Sequence, residues 1–484
     1  MSFARNPLAG GALVEVSSHH GQQAFLWPTL AFLLLPFLAL LSMWWQPTFQ
    51  DAVPTVLIVG VGVALYLILI RRKNLALSID TQWCLMALLL FRVCVALWIN
   101  QHWWWPQAVA NPVDDWDKYE EWGWWVSQSM GSLKDAAALP FEELGATYYV
   151  GLIYRLVGHN PAALAVSHSL VIAWTALGTF RLATRLGASE TVGRRAAVLF
   201  SLLPAGLVYG AFPSKDVIVC GVYLLVANLL LEIFLIQGPS VFRVFLLVLS
   251  IAVLALTRVA MVYVLGTIIL MELFSLPSLR KHMLAVTLAV VALLGTSILF
   301  VSWREQTLGR GVLQPIQSIA EWEELPVGQG LEFSSTPESS LAFRLYWNGE
   351  WKKAYLIPAR SALTLFIPFP PFQFTNLVAI AESLNVWAIA LLLPAVAACF
   401  RQVSGASTKP WKDLLPCWAP LASVCLAAGA GLPFLQPRYV LPAYPFFCVL
   451  ASIGFRAEPK HLTKLYELLP VGAGFLLILY KVLK

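Results

Sequence analysis

Charge is scarce along this chain: only 12% of its 484 residues are Asp, Glu, Lys or Arg, while 59% are hydrophobic and the mean hydropathy is +0.73. That balance excludes an ordinary soluble domain, whose surface needs far more charge, and points to a polytopic membrane protein. The seven cysteines all lie in or beside apolar stretches, so a disulfide framework is not expected and packing is their reading. The seven histidines form no HxxxH or HExxH pattern, which leaves a dedicated transition-metal site without support. Gly-rich nucleotide-binding signatures are missing as well. A net charge of +6 spread over short loops does not suit nucleic acid. The first twenty residues lack the basic n-region, apolar core and small-residue cleavage site of a secretory signal, and no lipidation motif is present; the first hydrophobic span is therefore expected to be retained.

What the chain has in abundance is apolar runs of membrane length. They fall near 25–45, 53–70, 82–100, 161–180, 196–212, 216–237, 283–302, 376–399, 414–433, 439–455 and 466–482. The stretch 244–275 is too long for one span and is interrupted at Thr257-Arg258, which reads as two short helices with Arg258 at their turn. The expected fold is therefore all-α and polytopic, with about 13 transmembrane helices (11–13 by stricter or looser counting). Basic clusters at Arg71 to Lys73, Arg181 to Arg195, Arg280-Lys281, Arg401 to Lys412 and Arg456 to Lys464 all fall on one side of this arrangement, the cytoplasmic side by charge bias. The amino terminus is then cytoplasmic.

The chain divides accordingly. Residues 1–100 hold a cytoplasmic tail and three spans, and 101–160 an outer loop. Central spans occupy 161–302, a second outer loop 303–375, and the last spans 376–484. Trp103, Trp104, Trp105, Trp116, Trp122, Trp124 and Trp125 give the first outer loop the density of helices lying in the headgroup layer. In the second, the prolines of Phe366 to Phe372 fit a re-entrant or interfacial element rather than a plain span.

Acidic residues beside a bilayer are costly unless they face water, a partner or a substrate, which singles out Asp114 and Asp115 in NPVDDWDKYEEWGWW. Three basic residues, Lys215, Arg258 and Arg438, lie in short turns on that same outer side, where charge bias would not place them. Together they offer a carboxylate for taking a proton and cations for holding a phosphate. Simpler roles suit the same residues. Asp114, Asp115 or Asp117 can cap the helix running through Tyr119; Ser214 can cap a helix starting at Lys215, with Asp216 at its positive end. Lys215, Arg258 and Arg438 can instead meet lipid headgroups. His102 and His159 read as structural or solvated.

These residues and their order resemble the GT-C class of polytopic glycosyltransferases, in particular bacterial members related to protein O-mannosyltransferases (glycosyltransferase family 39-like) and the lipid A aminoarabinose transferase. The likeness is carried by Asp115 with Tyr119 four positions on, by the stretch from Tyr154 to Asp216 ending in FPSKD, and by RYVLPAYPF from Arg438 to Phe446, covering roughly 82–455. Two hydrophobic segments more than usual precede the acidic loop. The resemblance implies an enzyme that moves a sugar from a polyprenyl-phosphate carrier to a glycan, lipid or protein acceptor, with inversion, on the periplasmic face of a bacterial inner membrane. It implies Asp115, or its neighbour Asp114, as the base, Arg438, Arg258 and Lys215 as phosphate ligands, and Tyr119 and Tyr439 as substrate contacts. Some members use a divalent metal and others do not, so the resemblance leaves metal dependence open. Two other classes fit the same envelope: an O-antigen polymerase or ligase, relying on outer-loop Arg and His, and a transporter or flippase of lipid-linked sugars. The latter would show ionisable groups mid-span, for which Arg92 and Glu272 are the candidates.

Overall fold

The computed structural model describes residues 49–71, 77–104, 115–129, 144–233, 240–258 with 261 and 265, 355–366, 377–406, 414–431 and 437–455. Every regular element among them is helical. Three helices, covering Ile79–Trp103, Pro161–Arg185 and Leu377–Arg401, are long and apolar enough to cross a membrane. The expected count of about 13 spans is therefore not reached among the described residues. The runs at 25–45, 283–302 and 466–482, the candidate Glu272 and most of the second outer loop lie outside them.

The elements in chain order are α1 (Phe49–Arg71), α2 (Ile79–Ile99, running on as a π turn through Asn100–Trp104), α3 (Asp115–Ser129) and α4 (Leu144–Val157). Then come α5 (Pro161–Arg185), α6 (Glu190–Leu202), α7 (Pro204–Tyr209), α8 (Lys215–Leu231) and α9 (Val241–Thr257). The C-terminal part holds α10 (Ile357–Leu363), α11 (Leu377–Ala406), α12 (Leu415–Gly431), a 3-10 segment at Pro437–Ala443 and α13 (Tyr444–Gly454). Helix α5 is the hub, packing against α1, α2, α6, α8 and α13. Its start is set by Pro161 at the first position and by Asn160, whose side chain accepts from Ala163 N at 3.0 Å and donates to Thr55 of α1 at 3.3 Å. Gly158, at φ +78°, supplies the left-handed turn that ends α4 just before it.

The apolar run 196–212, expected as one span, is broken. Pro204 has no N–H to give to Phe200 O, four residues earlier, and the chain turns at Leu203 (ψ 125°) between α6 and α7. Phe200 O, left with a 3.4 Å bond from Leu203 N, also accepts from Arg92 of α2 at 3.3 Å, and Arg92 donates at 2.5 Å to Gly206 O, which accepts from Gly210 N as well. Arg92 thus has a structural reading, since backbone oxygens far from water need a donor. The C-terminal helices approach closely: a Cβ on Gly454 would overlap the Ala395 carbonyl, so only glycine lets α13 lie against α11 here. Trp103, expected in the headgroup layer, is buried and packs on Phe212 with centroids 5.5 Å apart.

Candidate active site

Helices α8 and α9 are neighbours of 17 residues each, one starting at Lys215 and the other ending at Thr257. Pairing such a hairpin in antiparallel fashion returns the end of α9 to the start of α8. Arg258, in extended backbone just past α9, meets Asp216 in the first turn of α8 with Nη1 2.9 Å from Oδ1. The break expected at Thr257-Arg258 is where the helix ends. Ser214 caps α8 by accepting from Asp216 N at 3.3 Å, as the capping reading required. Asp216, expected only to favour the helix end, is a buried ion-pair partner at 2% exposure.

The 3-10 segment packs on α8 and brings Tyr439 beneath two guanidinium groups. Arg258 Cζ lies 4.3 Å from its ring centroid and Arg438 Cζ 5.2 Å, with Arg438 Nη2 3.5 Å from the Tyr439 hydroxyl. Cation–π attraction keeps the two like charges on one ring. On the other side of Asp216, Lys215 Nζ lies 5.7 Å from the ring centroid of Tyr119 on α3. Tyr119 itself is buried against Ala146 of α4 and Ile218 of α8. It anchors α3 to the site more than it lines it. Asp115 is the first residue of α3, four positions before Tyr119. Asp114 lies outside the described residues.

Helix α3 is held from its far side by a cluster around Glu120. Its carboxylate accepts from Tyr154 at 3.2 Å and pairs with His159, whose ring lies 4.6 Å from Trp124. Burial and the Glu120 carboxylate push the Tyr154 phenol well above its ordinary range. His159, read from sequence as structural or solvated, has the structural role: it helps fix α3.

Two groups escaped the sequence reading. Glu382, in the second turn of α11, accepts a hydrogen bond from the Tyr209 hydroxyl at the end of α7. Arg438 acts electrostatically on both of them. The signal for Glu382 was present, since a carboxylate stood inside the apolar run 376–399 and such groups are functional candidates. Tyr209 gave none, being one aromatic among many. The structure thus brings together Lys215, Arg258, Arg438, Tyr119 and Tyr439, adds Asp216, Glu382 and Tyr209, and sets the helix of Asp115 beside them. Among the described residues no group of three His, Cys, Asp or Glu is placed to hold a metal ion.

No protein-family profile matches the sequence, and no curated protein matches it. Solved structures similar to it include ArnT from Cupriavidus metallidurans bound to undecaprenyl phosphate, at 14% identity and TM-score 0.47, over 79% of this chain and 61% of that one. The same protein in the apo state matches at 17% identity and TM-score 0.37, over 82% of this chain and 78% of that one. The chain thus spans about three fifths of the length of the lipid-bound protein.

Proposed function

We propose that this protein is a membrane glycosyltransferase that takes a sugar from a polyprenyl-phosphate carrier and passes it to an acceptor hydroxyl on the outer, periplasmic face of a bacterial inner membrane. One observation carries the reading: Arg258 and Arg438 share the Tyr439 ring, beside Lys215 and the helix that starts at Asp115. Cations gathered at the ends of apolar helices suit an anionic ligand, and a lipid phosphate is the anion a bilayer supplies.

In the proposed reaction Asp115 removes the proton of the acceptor hydroxyl as its oxygen attacks the anomeric carbon. General-base help of this kind contributes about 10²–10⁴ in rate. The bond from that carbon to the phosphate oxygen breaks on the opposite face, so configuration inverts. The electron pair leaves with the polyprenyl phosphate, whose growing charge Arg438, Arg258 and Lys215 stabilise. A donor held by its lipid and phosphate also accounts for a chain without a nucleotide-binding signature.

The test is mass spectrometry of envelope glycans from cells carrying the intact gene, no gene, or Asp115→Asn. The expected result is a sugar that disappears without the gene and stays missing with Asp115→Asn, while purified Asp115→Asn protein still binds undecaprenyl phosphate. Full transfer by that variant would remove the base from Asp115. Loss of whole polymerised glycans rather than one residue would favour the polymerase or ligase class.

A further inference from the structure

The cations account for a phosphate, but Glu382 cannot, because a carboxylate repels one. It is only partly buried, and one of its oxygens is fixed by the Tyr209 hydroxyl. Tyr209 ends α7, which packs on both α11 and the 3-10 segment that carries Arg438, so the pair sits at the edge of the phosphate cradle. By helix rise Glu382 lies about 8 Å along α11 from Leu377. Asn385, one turn further on, lies nearly fully buried, donates to the Tyr444 hydroxyl at 2.8 Å, and has a side-chain oxygen without a hydrogen bond among the described residues.

The geometry points to a sugar-recognition subsite built on Glu382 and Tyr209, beside the phosphate held by Arg438. It rests on the glycosyltransferase reading and deepens it by naming the substrate class. The carboxylate accepts hydrogen bonds from hydroxyls, or from an ammonium group, of the transferred sugar. Tyr209 holds the carboxylate in place. A uronic acid, bringing its own carboxylate, is rejected, so the donor carries a neutral or amino sugar.

The test uses full-length protein in lipid nanodiscs loaded with radiolabelled undecaprenyl phosphate. Competitors are unlabelled undecaprenyl phosphate and its glucosyl, 4-amino-4-deoxyarabinosyl and galacturonosyl conjugates. The native protein should prefer the neutral or the amino conjugate to the galacturonosyl one by about tenfold or more, the scale of one hydrogen bond to a charged group. Glu382→Gln should lose most of that preference while binding undecaprenyl phosphate itself within about twofold. Tyr209→Phe, which keeps the carboxylate, should shift the preference in the same direction by less and serves if Glu382→Gln does not fold. Equal loss of all four ligands would make Glu382 a prop for Arg438, and an unchanged preference would also overturn the subsite. A native protein that binds undecaprenyl phosphate but shows no sugar preference overturns the subsite alone. One that binds no undecaprenyl phosphate overturns the proposed function with it.

Discussion

Replacing Arg258 by Met separates the ion pair with Asp216 from the phosphate-binding role proposed for the same side chain. The guanidinium is 2.9 Å from Asp216, and the side chains are 11% and 2% exposed, so neither charge is screened by bulk water. Removing one partner of such a pair leaves a buried carboxylate alone, at a cost of about 3–5 kcal/mol. Arg258→Met alone should therefore unfold at a clearly lower temperature. Asp216→Asn added to it removes the stranded charge and should restore most of the lost stability, the two changes being strongly non-additive. Donor binding should not return, because the double variant still lacks a charge-assisted bond to phosphate. Such a bond is worth about 1.5–3 kcal/mol, roughly ten- to a hundredfold in affinity. Five of the seven cysteines are buried, so a thiol-reactive dye reports unfolding in detergent without engineered probes. Undecaprenyl phosphate displacement reports binding in the same preparations. If the double variant regains both stability and binding, Arg258 serves Asp216 only and the cradle loses a member. If Arg258→Met alone is as stable as the native protein, the ion pair is not the buried contact described.

Three further outcomes follow from other contacts. Arg438→Ala should weaken undecaprenyl phosphate binding by about tenfold or more, and unchanged affinity counts against the cradle. Gly454→Val should destabilise the protein by several kcal/mol at about the cost of overpacking, or prevent its accumulation, and normal yield and melting would show that α11 and α13 are further apart. Burial works against ionisation of Glu190, but hydrogen bonds from Thr81 and Ser78 and the charge of Arg194 outweigh it and hold its carboxyl below the usual value of 4.5. Its contribution to stability is complete above that value and fades as pH falls beneath it. The melting difference between native protein and Glu190→Gln should thus be constant near neutrality and shrink on acidification below 4.5, and a difference that grows there would refute the assignment.

Much of this arrangement was legible as pattern. Hydropathy located α1, α2, α5, α8, α11 and α12, because apolar length is an additive property of a segment. Charge in the wrong place located Lys215, Arg258 and Arg438, because a cation in a turn where charge bias would not place it has to be explained by a partner. What pattern could not supply was pairing. That Arg258 spends its charge on Asp216, or that Tyr119 is packed inward, depends on which helices adjoin, and no local rule fixes that. Glu382 was missed for a different reason: a single acid barely lowers the hydropathy of a long apolar run, so an averaged reading hides the residue that costs most to bury there.

The break at Pro204 joins the fold to the site. Without it α6 and α7 would form one helix through the apolar run, and Tyr209 would leave the neighbourhood of Glu382. The break deprives Phe200 O of its partner four residues on and leaves it a long bond from Leu203 N at 3.4 Å, and Arg92 is the further donor that makes the broken form tolerable. Arg92→Leu should therefore destabilise the protein by about 1–3 kcal/mol, the scale of hydrogen bonds from a charged group, since Phe200 O keeps only the 3.4 Å bond from Leu203 N. Pro204→Ala in the same chain restores an N–H four residues after Phe200, so part of that loss should be recovered, a coupling visible in a double-mutant cycle of melting temperatures. Activity should be lost in the double variant, since a continuous helix would turn Tyr209 away from α11. Independent, additive effects of the two substitutions would mean that Arg92 does not serve the proline break, and its place in the middle of α2 would then call for a ligand instead.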